Sequence, residues 1–179
     1  MAATVLLTGL PGAGTASVLL SRSEALALAF PDAEVERRTF VLTDAQAEQV
    51  ESLAHAPLAS RLVTFFVGRQ DERVVGYALI DVHPVRTLPE GLLILLSPTG
   101  EIRSLRLLAF YEPEEYGPSE RWLEQFGSRS LSDVLRVGGT IHAIAGSTLT
   151  SEAVTRAARR ALALHEVLLR ASPNPDAAD

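Results

Sequence analysis

The chain has 179 residues, 47% of them hydrophobic, enough to bury one substantial core, and its length argues for a single domain. Its 16 Lys and Arg against 22 Asp and Glu give a net charge of −6, which offers no basic face to a phosphate backbone and excludes nucleic acid as an expected partner. The absence of cysteine excludes disulfides, thiol catalysis and iron–sulfur ligation and leaves the redox compartment open. Residues 1–20 read as an export signal or lead-in. A short apolar run around Val5-Leu-Leu precedes small residues Gly14, Thr15 and Ala16 at a plausible cleavage position, although no Lys or Arg opens the segment. Gly9 to Ala16 has the outline of a phosphate loop, but Thr15 stands where the essential Lys belongs, which argues against nucleotide hydrolysis.

Ser21 and Glu24 form a capping box for a short helix that Pro31 stops, and Thr43 with Gln46 forms a second, opening a helix through about Ala54. Between them, Glu34 to Leu42 alternates as a strand. His55 lies just past the second helix, where a helix-terminal cation is sufficient explanation. Arg61–Val67 and Arg73–Val82 are rich in β-branched and aromatic residues and predict a hairpin with a longer loop over Gly68–Glu72. Gly91–Leu96 and Ile102–Phe110 predict a second hairpin across Ser97–Gly100, and Val82 to Pro89 reads as a loop carrying a histidine, His83, with no ligand partner at metal spacing. The four histidines are scattered, so no metal is expected. The expected fold is α+β: a two-layer, mainly antiparallel sheet packed against helices, with a long C-terminal helix.

An acidic, aromatic turn follows at Phe110–Gly117, then a short amphipathic helix through Trp122 to Phe126. Leu131 to Val137 reads as a short turn and lead-in, with Gly138 and Gly139 allowing the bend into Thr140. The closing helix, from about Ala153 to Arg170, puts Val154, Ala157, Ala158, Ala161, Leu162, Leu164 and Leu168 on one broad face, leaving Arg156, Arg159 and Arg160 on a solvated side and His165 at the surface or boundary. Ser172–Asp179 is polar and proline-bearing and reads as a flexible tail.

The stretch before that helix concentrates the chemistry. Ala145-Gly-Ser147 is a tight turn of small residues, and Thr148, Thr150 and Ser151 bring hydroxyls to the helix mouth. Unpaired N–H groups and the positive end of the dipole favour an anion there, and small residues let it approach the backbone. A plain helix cap by Thr150 or Ser151 is the simpler account of the same hydroxyls.

The run His142-Ala-Ile-Ala-Gly-Ser-Thr148-Leu-Thr-Ser151 resembles the flavinylation motif of the FMN-binding domain family, found in the flavin-carrying G and C subunits of the Rnf and sodium-translocating quinone reductase complexes. Leu42-Thr-Asp44 with Gln46, Arg73–Asp81, Gly100–Leu108, Glu112–Gly117 and Gln125-Phe126 look like the family's other landmarks in the same order, so the resemblance spans roughly residues 35–170. The motif departs from the family at three places: His142 replaces Asp, Ala145 replaces Ser or Thr, and Ser147 replaces Ala.

The resemblance implies an FMN-binding domain over residues 21–171. It implies FMN joined to Thr148 by a phosphoester and surrounded by Ala145, Gly146, Ser147, Leu149, Thr150 and Ser151, with His142, Glu112 and Tyr116 nearby. Ser147 offers a second hydroxyl beside the expected acceptor. The resemblance also implies an electron-transfer role outside the cytoplasm, with a flavin transferase and membrane redox proteins as partners. A module of the same fold binding FMN or another anion without a covalent bond is the alternative. A hydrolase built on Ser147 or Thr148 with His142 lacks both a nucleophile elbow and an orienting acid.

Overall fold

Local chemistry starts the first two helices where the sequence places them. Ser21 caps α1 (Arg22–Ala29) by accepting from the Glu24 N–H while the Glu24 carboxylate accepts from the Ser21 N–H, and Thr43 and Gln46 repeat the exchange at α2 (Asp44–Ala54). His55 ends α2 in the left-handed region at φ 48°, its N–H donating to the Glu51 carbonyl. The computed structural model describes residues 17–170, so the readings of residues 1–16 and of the 172–179 tail lie outside the described residues.

The fold is α+β, as expected. A two-residue strand β1 (Ser17–Val18) and five longer ones, β2 (Glu34–Val41), β3 (Leu62–Gln70), β4 (Arg73–Pro84), β5 (Pro89–Leu96) and β6 (Ile102–Phe110), form one antiparallel sheet in the order β1-β6-β5-β4-β3-β2. Side chains alternate between its faces. Phe65, Leu79, Leu92, Ile94 and Ile102 point into the main core, against α2, α3 (Glu120–Leu123) and α4 (Thr148–His165). Phe66, Ala78, Leu93 and Leu95 point the other way, where Ala25 and Phe30 of the α1 segment cover them. With both faces of its centre covered, β5 can be apolar without alternation through Leu92–Leu96. Among the described residues, no helix is long and apolar enough to cross a membrane.

Two connections differ from expectation. The first hairpin is tighter, because β3 continues through Gly68 and Arg69, leaving a two-residue turn of Asp71 and Glu72 with φ 48° and 65°. Two consecutive left-handed residues match the twist of the flanking strands. Val82–Pro89 is not a plain loop: β4 runs to Pro84 and β5 starts at Pro89, with His83 directly opposite Glu90.

The expected apolar face of the last helix is buried throughout, but the helix starts at Thr148, five residues early, and widens to a π-helical turn over Glu166–Arg170. His165 is not a boundary residue. It is buried, edge-on to Tyr77 with ring centroids 5.2 Å apart, and burial pushes its pKa down. Gly100 makes room for it: φ is 87°, and a Cβ there would stand 2.6 Å from His165 Nδ1. Gly100→Ala therefore meets both a strained dihedral and a clash, and is expected to cost about 1–3 kcal/mol in chemical denaturation. An unchanged midpoint would mean that the β5–β6 turn yields freely.

Candidate functional site

The turn ahead of α4 is built from small residues because its backbone needs them. Gly146 sits at φ 76°, and a Cβ on it would meet no atom within 4 Å, so the requirement is conformational and the space beside the backbone is open. The Ser147 N–H closes the turn on the Ile144 carbonyl at 3.0 Å. Ser147 is the N-cap residue, yet its side chain caps nothing; its Oγ is buried and has no hydrogen-bond partner. Ser151 locks the turn instead, accepting from the Ile144 N–H at 2.9 Å and donating to the Ser147 carbonyl at 3.1 Å.

The first helical bond runs from the Ser151 N–H to the Ser147 carbonyl. The N–H groups of Thr148, Leu149 and Thr150 have no carbonyl within the helix to donate to. No acidic residue occupies the first turn to offset the dipole. The hydroxyls divide sharply by position. Thr150 and Ser151 are buried, Thr150 donating from Oγ1 to the Tyr116 carbonyl at 2.8 Å, whereas Thr148 and Leu149 are exposed. Of the hydroxyls on Ser147, Thr148, Thr150 and Ser151, only that of Thr148 belongs to an exposed residue.

That Thr150 bond brings the acidic turn, a 3₁₀ turn over Glu114–Tyr116, against the helix start. Tyr116 packs on the small cluster of Val85, Phe110 and Ala153. Glu112 is engaged elsewhere: Oε1 accepts from the Arg86, Thr87 and Leu88 N–H groups at 3.3, 2.9 and 3.0 Å. These bonds, that of Thr87 foremost, hold its pKa below the ordinary value and fix the β4–β5 turn. His142 and Ala145 are exposed, and His142 is anchored through its backbone: its N–H donates to Gln125 Oε1 at 2.8 Å and its carbonyl accepts from Trp122 Nε1 at 2.7 Å. Tyr116 and Thr148–Ser151 thus share one corner, while the Glu112 Oε1 and the His142 backbone serve neighbouring turns.

A second polar cluster escapes the sequence reading. Arg160 is not on a solvated side. It reaches from α4 to Asp81 on β4, with Nη2 at 2.7 Å from Oδ1 and Nε at 3.1 Å from Oδ2. His83 Nδ1 lies 2.7 Å from the same Oδ1, and His83 Nε2 lies 3.0 Å from Oε1 of Glu90, which is fully buried and whose Oε2 has no partner. Burial alone would lower the His83 pKa, but hydrogen bonds to Asp81 and Glu90 outweigh it and raise the value. Burial pulls Asp81 upward, and the bonds from His83 and Arg160 bring it below the ordinary range; for Glu90 burial prevails and the pKa rises. With a carboxylate on each nitrogen, His83 has no free lone pair to act as a base, so the cluster is a clamp between helix and sheet. The available signal was the spacing Asp81-x-His83, which puts both side chains on one face once β4 is extended past Val82.

Compared with known proteins, the chain matches no family model, and no curated protein is significantly similar to it.

Proposed function

We propose that the chain is an FMN-carrying electron-transfer protein with the flavin joined through a phosphoester to Thr148. The observation that carries this reading is the position of Thr148: an exposed hydroxyl on the first residue of an 18-residue helix, just past a left-handed glycine, in a segment resembling a flavinylation motif. The residues present fit a phosphate. The N–H groups of Thr148, Leu149 and Thr150 have no carbonyl within the helix to bond, and Thr148 is exposed beside a turn of small residues. Bound FMN supplies the redox chemistry. The chain's share is to fix the phosphate at the helix entrance and to hold Tyr116 beside it through Thr150. On this reading the partners are a flavin transferase and membrane redox proteins, and the site of action is extracytoplasmic.

Joining a phosphate to an alcohol needs an activated donor. A flavin dinucleotide meets the need: the Oγ1–P bond forms, the pyrophosphate P–O bond breaks, AMP leaves and the hydroxyl proton is released. The test is intact-mass measurement after incubation with a flavin transferase and that donor. The expected result is a gain of FMN less one water on the peptide containing Thr148, with the yellow colour surviving denaturation. Colour that is lost on unfolding supports the second reading, non-covalent binding of FMN, which His142, Ala145 and Ser147 favour as departures from the motif. A colourless protein of unchanged mass without affinity for free FMN would sink both.

A further inference from the structure

The sheet is forked at one end. Pairing between β3 and β4 stops at Phe65 and Leu79, yet β3 continues to Leu62, paired only with β2, and β4 continues to Pro84, paired only with β5. Leu62–Thr64 and Ile80–Pro84 thus turn unpaired strand edges towards each other across a cleft of about 400 Å³, with the 57–60 loop and α4 as its other walls. Every second residue on such an edge turns its N–H and C=O outward: on β4 Val82 does so, whereas on β3 the Leu62 N–H already donates to Ser60 Oγ at 3.0 Å.

The cleft's side chains add two further features. Its lips are apolar and exposed: Leu62 is 60% exposed and Val82 65%, with Val41, 75% exposed, paired beside Leu62. One wall carries a cation that can be recruited, Arg156, which meets Glu152 only at 3.6 Å in a half-exposed pair of small worth. Arg160, by contrast, already holds Asp81 through Nε and Nη2. A fatty acid would use the apolar lips and Arg156 but leave the strand edges unmatched. A chain of peptide groups uses all three.

We infer that the fork between β3 and β4 binds an extended peptide with apolar side chains at alternate positions and a terminal carboxylate, which adds as a short strand along Ile80–Pro84 with its carboxylate at Arg156. This is strand addition at an internal edge, where main-chain bonds supply affinity and alternate side chains supply selectivity. It is independent of the reading made for Thr148.

The probe is an array of random pentapeptides with free C-terminal carboxylates, followed by titration of the best binders in solution. The expected result is a set of binders with apolar residues at every second position that slow amide exchange at Val82, whose N–H faces the fork, and leave Asp81 and His83, already paired to β5, unchanged. N-methylation of alternate peptide nitrogens is expected to abolish binding, and Arg156→Gln to weaken it about tenfold, the scale of one charge-assisted hydrogen bond. Val82→Asp, at a solvent-facing position, is expected to block binding and leave the unfolding midpoint in place. Absence of any binder in the array overturns the inference, as do N-methylated peptides binding equally well. Decanoate competing for the cleft with the same exchange pattern would make it a fatty-acid site instead, and a dimer that Val82→Asp dissolves would make it a contact between copies.

Discussion

Arg160→Ala is expected to lower the unfolding free energy by about 3–5 kcal/mol, read from the denaturant midpoint at constant slope, because it strands a buried carboxylate. The side chains of Arg160 and Asp81 are each only 12% exposed, so water cannot take over the lost bonds as it does at the surface. Asp81 would keep His83 alone, and His83 is already shared with Glu90. Arg160→Lys is expected to fall between wild type and alanine, since an ammonium restores the charge but not the two-pronged contact to Oδ1 and Oδ2. A loss below about 1 kcal/mol for Arg160→Ala, the range of exposed pairs, would show that the clamp is solvated in practice.

The same cluster sets a pH dependence whose sign differs between its members. The His83 pKa lies above its ordinary value near 6.5, so its contribution is complete below that value and is lost as pH climbs through the raised folded pKa. Asp81 works in the opposite direction: its folded pKa lies below the ordinary value near 3.8, so its contribution is present above that and disappears on acidification. Glu90, raised by burial from about 4.5, favours the folded state only while protonated and opposes Asp81 on the acid side. Stability should therefore decline above about pH 6.5, and His83→Gln should flatten that decline while lowering stability throughout. The charged and titratable groups facing His83 come from β4 as Asp81 and from β5 as Glu90, with Arg160 of α4 behind Asp81.

How much of this could be read before the structure depends on whether the determining interactions are local. Capping boxes at Ser21 and Thr43 involve residues three apart, and the apolar row of α4 is a simple period, so both were legible. The start of α4 was not, because Thr148, Thr150 and Ser151 are weak helix formers whose hydroxyls suit a cap as well as a first turn. The buried clamp was hidden for another reason. Arg160 and Asp81 are separated by 79 positions, and an arginine on an Arg-rich helix looks solvated until the sheet supplies a carboxylate opposite it. His83 was lost with the two strand ends, since Pro84 and Pro89 look like loop residues yet sit opposite each other at the last register position, where the Val85 N–H beyond them closes the turn on the Leu88 carbonyl. At the candidate site, the order Gly146, Ser147, Thr148 was visible, whereas the burial that separates one hydroxyl from the next was not. That separation depends on the turn into the helix and on Tyr116, 34 positions from Thr150.

Thr148→Val is expected to abolish covalent flavin incorporation completely, and Ser147→Ala to leave it intact. Valine keeps the branched shape and removes only the hydroxyl, and the position is exposed at the first residue of α4, so the helix and its buried face should be undisturbed. Ser147 stands next to it in sequence but is 5% exposed, its Oγ enclosed where a transferase cannot bring a phosphorus in line with it. Thr148→Ser keeps the nucleophile and should retain incorporation at a reduced rate, because losing the methyl frees χ1 and leaves the hydroxyl less well oriented. The measurement is intact mass followed by peptide mapping for each variant, with the unfolding midpoint as a control on the fold. A flavin increment persisting in Thr148→Val and mapping to Ser147 would mean that the turn opens during transfer and that the exposed hydroxyl is not the anchor. If incorporation instead fails in Ser147→Ala while Thr148 remains, the buried hydroxyl positions the helix entrance for the transfer rather than accepting the phosphate itself.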